Sequence, residues 1–105
     1  MNWLVLVLAG VFEIGWPLGF KLSQNLQYKW FWICFAVVCM SLSGYFLWWA
    51  QKTIPIGTAY AVWTGIGAVG TFTIGVLWFK DSLSLLRLAS ASLIVMGVVG
   101  LKIFN

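Results

Sequence analysis

Glu13 stands inside an apolar run that extends from Trp3 to Phe20, and Asp81 is the only other acid in the chain. Ten residues separate Glu13 from Trp3. On a helix that distance is about 15 Å, close to half of the ~30 Å hydrocarbon layer of a bilayer. A carboxylate at such a depth costs several kcal/mol unless it is protonated, paired or facing a wet cavity. The six basic residues, Lys21, Lys29, Lys52, Lys80, Arg87 and Lys102, fall beside or between apolar runs, so none matches its depth. Glu13 is therefore expected to hold a proton, a cationic ligand or water, the occupants that mark an ion or substrate path. The structural alternative is a protonated acid acting as hydrogen-bonded glue between helices.

Its neighbours extend the chemistry. At about 100° per residue, Leu6, Gly10, Trp16, Pro17 and Phe20 fall within about 60° of Glu13 on the first helix. Tyr60, Trp63, Thr64 and Gly67 share a face of the third in the same way. Aromatic surface, hydroxyl and indole donors and small gaps suit a cavity for an organic cation, although an aromatic core stripe has the same spacing. The carboxylate in the same face favours the cavity. Pro17 adds a consequence of its own. It has no N–H for the carbonyl four residues earlier, and that carbonyl belongs to Glu13. The freed oxygen must be met by another donor or line a wet cavity, where it would accept from a cation bearing several N–H groups; a simple kink is the plainer reading.

The elements that must position these groups follow from composition. The chain has 105 residues, 63% of them hydrophobic and only 8% charged. A soluble domain of this size leaves roughly 30 to 40% of its surface in water, which this composition does not serve. Four crossings of about 20 residues each use nearly the whole chain. The fold class expected is thus an all-α integral membrane protein, a single domain over 1–105 with helices at about 3–20, 30–49, 57–79 and 84–104. Ser23-Gln24-Asn25, Ile54-Pro55-Ile56-Gly57 and Lys80-Asp81-Ser82 supply the turns, with Ser82 or Ser84 available as an N-cap. Trp3, Trp30, Trp32, Trp48, Trp49 and Trp78 lie near run ends, as in an interfacial aromatic belt, which leaves Trp16 and Trp63 deep. Met1 to Gly15 lacks a basic leading segment and a small-x-small cleavage site, and is read as a permanent first helix. Lys52 and Lys102 fall on one side of the membrane and Lys21, Lys29, Lys80 and Arg87 on the other, a weak bias that leaves insertion in both orientations open.

Several functions are set aside. The net charge of +4 comes from scattered residues with no basic stripe, so nucleic acid is not an expected partner. Gly65-Ile66-Gly67-Ala68-Val69-Gly70 satisfies G-x-G-x-x-G but follows no strand, so these glycines are read as sites of close approach or of a bend in the third helix. Histidine is absent, and Cys34 and Cys39 lie about 140° apart on one helix, so neither a metal site, a cofactor nor a disulfide is expected. No second buried acid or activated nucleophile accompanies Glu13, and an enzyme is not expected. On the fourth helix Ser90 and Gly97 place small residues one heptad apart, a seam on which helices pack closely.

Glu13 with Trp16 and Lys21, the stretch Pro55-Ile-Gly-Thr-Ala-Tyr60-Ala-Val-Trp63-Thr-Gly-Ile-Gly67, and Gly97-Val-Val-Gly-Leu-Lys102 resemble the small multidrug resistance family over essentially the whole chain. Trp16 and Lys102 resemble its guanidinium-exporter subtype rather than the quaternary-ammonium subtype. The resemblance implies an antiparallel, dual-topology homodimer that exchanges a small organic cation for protons across a bacterial inner membrane. It implies that Glu13 is the shared proton and substrate ligand, that Trp16, Ser43 and Trp63 orient it, that Gly10 and Tyr60 line the site, and that the fourth helix dimerises. Pro17 replaces a small residue of the pattern, the loop before the second helix is one residue longer, and Lys80-Asp81-Ser82 stands where an acid followed by proline is usual. The expected function is proton-coupled export of guanidinium-type cations. The rivals are a polyspecific exporter of quaternary ammonium or aromatic cations, and one subunit of a heteromeric transporter.

Overall fold

The computed structural model describes residues 2–24 and 27–104. Asn25 of the expected first turn and the two end residues of the expected domain lie outside them. Four helices follow one another, α1 (Asn2–Ser23), α2 (Lys29–Ala50), α3 (Ile56–Trp78) and α4 (Leu85–Ile103), and each is long and apolar enough to cross a membrane. The protein is a multi-pass membrane protein of all-helical fold.

Local chemistry sets the ends. α1 runs three residues beyond the expected Phe20, because Lys21 complements the C-terminal dipole and the Ser23 hydroxyl donates to the Phe20 carbonyl at 2.7 Å. Pro55, whose missing N–H is no loss there, precedes the first turn of α3. Of the two candidate serines, Ser84 caps α4: its hydroxyl accepts from the Arg87 N–H at 3.1 Å. α1 is helical through Pro17, and α3 through Gly65 and Gly67, the positions expected to bend.

α1 is the hub. It packs most extensively on α2, then on α3, while the backbone of α4 runs close to α3 alone. The α1–α2 seam is close because Gly15 faces Cys39 and Gly19 faces the Trp32 carbonyl and Ala36; side chains at either glycine would collide. Cys34 is exposed and Cys39 buried, both free, as their angular separation on one helix requires.

A cluster of buried apolar residues lies at one end of the bundle. Leu6, Ala50, Ile54, Ala59 and Val62 form the buried core, flanked by Trp3, Val5, Leu47, Trp63, Ile66 and Val98. At that end Asn2 donates to Thr53, and the Lys102 ammonium lies 5.0 Å above the Trp3 ring, so the start of α1 and the end of α4 share a side. Toward the opposite end, the α1–α3 crevice opens into cavities. The whole is a plate of 45 × 35 × 17 Å, long enough to span a bilayer with its headgroups and under two helix diameters thick.

Candidate functional site

Glu13 lies on the side of α1 that faces α3, and the reason it fits there is Gly67. A Cβ built on Gly67 would sit 2.5 Å from Glu13 Cγ, so only glycine lets the acid pass beside the α3 backbone. Gly65 lies two residues away, about 200° around the helix, and opens the other side of α3 to Val98 of α4. The two glycines therefore seat α1 and α4 on opposite flanks of one helix.

One Glu13 oxygen is engaged within the chain. The Trp16 indole Nε1 donates to Glu13 Oε1 at 2.7 Å, one turn along α1. The Trp16 ring is in turn edge-on to Phe20, with centroids 5.7 Å apart. Glu13 and Pro17 line a cavity of about 420 Å³ together with Thr64, Gly67, Ala68, Thr71, Phe72 and Asp81. Pro17 thus stands at the cavity wall, next to the acid whose carbonyl it frees.

Ser43 and Trp63 form a second polar pair. The Trp63 indole donates to Ser43 Oγ at 2.7 Å, and the Ser43 hydroxyl donates to the Ala9 carbonyl of α1 at 2.8 Å. Ser43 is 1% exposed, so this chain of bonds is part of the buried framework. A hydroxyl has one proton to give, and here it goes to Ala9 rather than to Glu13. Ser41, the neighbouring serine, is exposed and bonds its own helix at Val37. Both of these half-buried tryptophans, Trp16 and Trp63, have acceptors for their indole N–H groups.

The remaining expected residues scatter. Tyr60 is 57% exposed, with its ring 5.4 Å from that of Trp63. Gly10 is buried against Ile66, so it serves the α1–α3 crossing and not the cavity. Ser90 is exposed, bonds the Leu86 carbonyl at 2.9 Å, and lines a neighbouring cavity with Phe72 and Arg87. Gly97 faces open space, with nothing within 4 Å of an added Cβ. Among the described residues, α4 has none that is buried. Thr71, Phe72 and Asp81 line the Glu13 cavity without having been expected there. Thr71 and Phe72 lie seven and eight residues beyond Thr64, and that spacing was the signal for the first two.

The family described as Small Multidrug Resistance protein matches residues 1–94. The chain belongs to this family. It is 44% identical to the guanidinium exporter of Escherichia coli over 103 residues, 98% of this chain and 97% of that protein. It is 45% identical to the guanidinium exporter of Yersinia pseudotuberculosis, covering 98% of each chain, and 44% identical to that of Salmonella typhimurium, covering 98% of this chain and 97% of the relative. Members of the small multidrug resistance family are transporters rather than enzymes, and the lipid-facing composition of all four helices agrees with that membership.

Proposed function

We propose that this protein is a proton-coupled antiporter that exports small guanidinium-type cations across a bacterial inner membrane, with Glu13 of each chain as the ligand shared by proton and substrate. The observation that carries the reading is the pairing of a midplane carboxylate with a cavity. One Glu13 oxygen is held by Trp16, and the acid lines about 420 Å³ of space walled by hydroxyl, aromatic and carboxyl groups. The names of the relatives supply the substrate class.

Exchange follows from competition. A protonated Glu13 has no charge to offer a cation, whereas the carboxylate binds one; cation entry therefore requires proton departure, and the reverse on the other side. A guanidinium presents parallel N–H pairs that match a carboxylate edge, and its flat face stacks on rings, which favours it over a tetrahedral ammonium.

The assembly that completes the site is an antiparallel homodimer in the lipid bilayer. A plate 17 Å thick does not enclose a cavity from both sides, and α4 carries an unpartnered apolar surface with Ser90 and Gly97 on it. Small residues on such a helix allow the close backbone approach by which helices associate in lipid.

The test is solid-supported-membrane electrophysiology on the purified protein in liposomes, with guanidinium, alkyl-guanidines and tetraalkylammonium ions as challenges. Guanidinium is expected to evoke currents that depend on the proton gradient. Currents from tetraalkylammonium alone would favour a drug exporter, and no coupled flux from the single chain would favour a heteromer.

A further inference from the structure

The Glu13 cavity does not end at Glu13. Thr64, Gly67, Ala68, Thr71 and Phe72 form one stripe along α3, at spacings of three and four residues, and the stripe leads from the level of the midplane acid toward Asp81. Gly67, which meets Glu13, and Gly75, which meets Asp81, lie eight residues apart on α3, about 12 Å of helix. The only two acids of the chain thus line one cavity, one at each end.

Asp81 is held in that position by the end of α3. Lys80 adopts a left-handed backbone (φ 57°) that reverses the chain, and the Asp81 N–H then donates to the Gly75 carbonyl at 3.0 Å. Gly75 is buried, and the Asp81 carboxyl occupies the space that a Cβ on Gly75 would need. The acid is folded back against α3 while the residue stays exposed to water.

Two cations of the neighbourhood, Arg87 and Lys21, are engaged on rings. Arg87 donates to the Ser82 hydroxyl at 3.0 Å, and its guanidinium lies 5.0 Å from the centre of Phe72. Lys21 shares an adjoining cavity of about 220 Å³ with Asp81, and its ammonium lies 5.9 Å from the centre of Phe79. Phe72 thus borders the Glu13 cavity while already stacking one guanidinium, so the wall between the two acids accepts the geometry of that ion.

Resting on the antiport reading above, we infer that Asp81 is a second substrate-binding carboxylate: it captures the guanidinium-class cation at the polar end of the cavity and delivers it along the Thr64 to Phe72 stripe to Glu13. An exposed acid stays solvated, so its attraction for a cation acts chiefly on capture and weakens with salt.

The experiment compares wild type, Asp81→Asn, Asp81→Glu, Lys21→Met and Glu13→Gln in liposomes, with guanidinium transport recorded at low and high ionic strength. Asp81→Asn keeps the shape and removes the charge. Its KM for guanidinium is expected to rise roughly 3- to 10-fold at low salt, to converge on wild type at high salt, and to recover in Asp81→Glu. An unchanged KM, or a loss of maximal rate that salt does not affect and Asp81→Glu does not restore, would overturn the inference. So would a matching KM rise in Lys21→Met, which would make Asp81 a partner of Lys21 and not of substrate. Glu13→Gln separates the two levels: if it is inactive while Asp81→Asn behaves as wild type, only the Asp81 role fails. If Glu13→Gln transports while Asp81→Asn shows the salt-sensitive rise, Asp81 stands and the Glu13 mechanism falls.

Discussion

The Trp16 indole donates to Glu13 Oε1 at 2.7 Å from one turn away on the same helix. Because both groups belong to α1, their relation survives any movement of α1 against α2 or α3. The bond leaves the second carboxylate oxygen for a ligand or a proton. Trp16→Phe keeps an aromatic ring and deletes the donor. Hydrogen bonds to charged groups contribute about 1.5–3 kcal/mol, so guanidinium affinity should fall roughly 10- to 150-fold. Isothermal titration calorimetry in detergent measures it. An affinity equal to wild type would mean that the indole positions nothing the substrate uses.

Gly97 offers a test of assembly that leaves the chain's own packing intact. Nothing of the same chain lies within 4 Å of a Cβ added there, so a leucine has room in the single chain and obstructs only a partner. Gly97→Leu should convert the dimer to monomer in mild detergent, with helical content unchanged by circular dichroism. An unchanged mass by light scattering would place the dimer seam elsewhere.

How far these relations were legible beforehand differs by residue. The place of Glu13 near the middle of α1 was readable because a membrane-spanning helix has a length that the bilayer sets and ten residues of helix have a fixed rise. Trp16 was readable because residues three apart share a helix face. The partner of Ser43 was not. A helical wheel says which way a side chain points and nothing about what the next helix presents, and the Ser43 proton goes to the Ala9 carbonyl. Gly10 illustrates the same limit: it shares the face of Glu13, yet α3 meets it with Ile66. Asp81 was read as turn material because it follows a span in sequence. Only the left-handed Lys80 and the space at Gly75 bring it back to the cavity.

Pro17 lines the cavity together with Glu13. If the Glu13 carbonyl that it frees accepts from a substrate N–H, Pro17→Ala closes the helical bond and removes an acceptor. Guanidinium should then weaken by about 1 kcal/mol, roughly fivefold, the worth of one hydrogen bond, while tetraalkylammonium, which has no N–H, binds as before. Competitive titration of both ions measures the difference. Equal shifts would leave Pro17 with a purely structural effect.

The most direct measurement concerns Glu13 itself. Glu13→Gln keeps the size of the side chain and an oxygen to accept from Trp16, and it removes both the charge and the titrating proton. In solid-supported-membrane recordings on liposomes of matched protein content, wild type should give guanidinium currents that scale with the proton gradient, and Glu13→Gln should give none while remaining inserted and folded. Proton-coupled guanidinium currents of wild-type size from Glu13→Gln would contradict a carboxylate shared between proton and substrate.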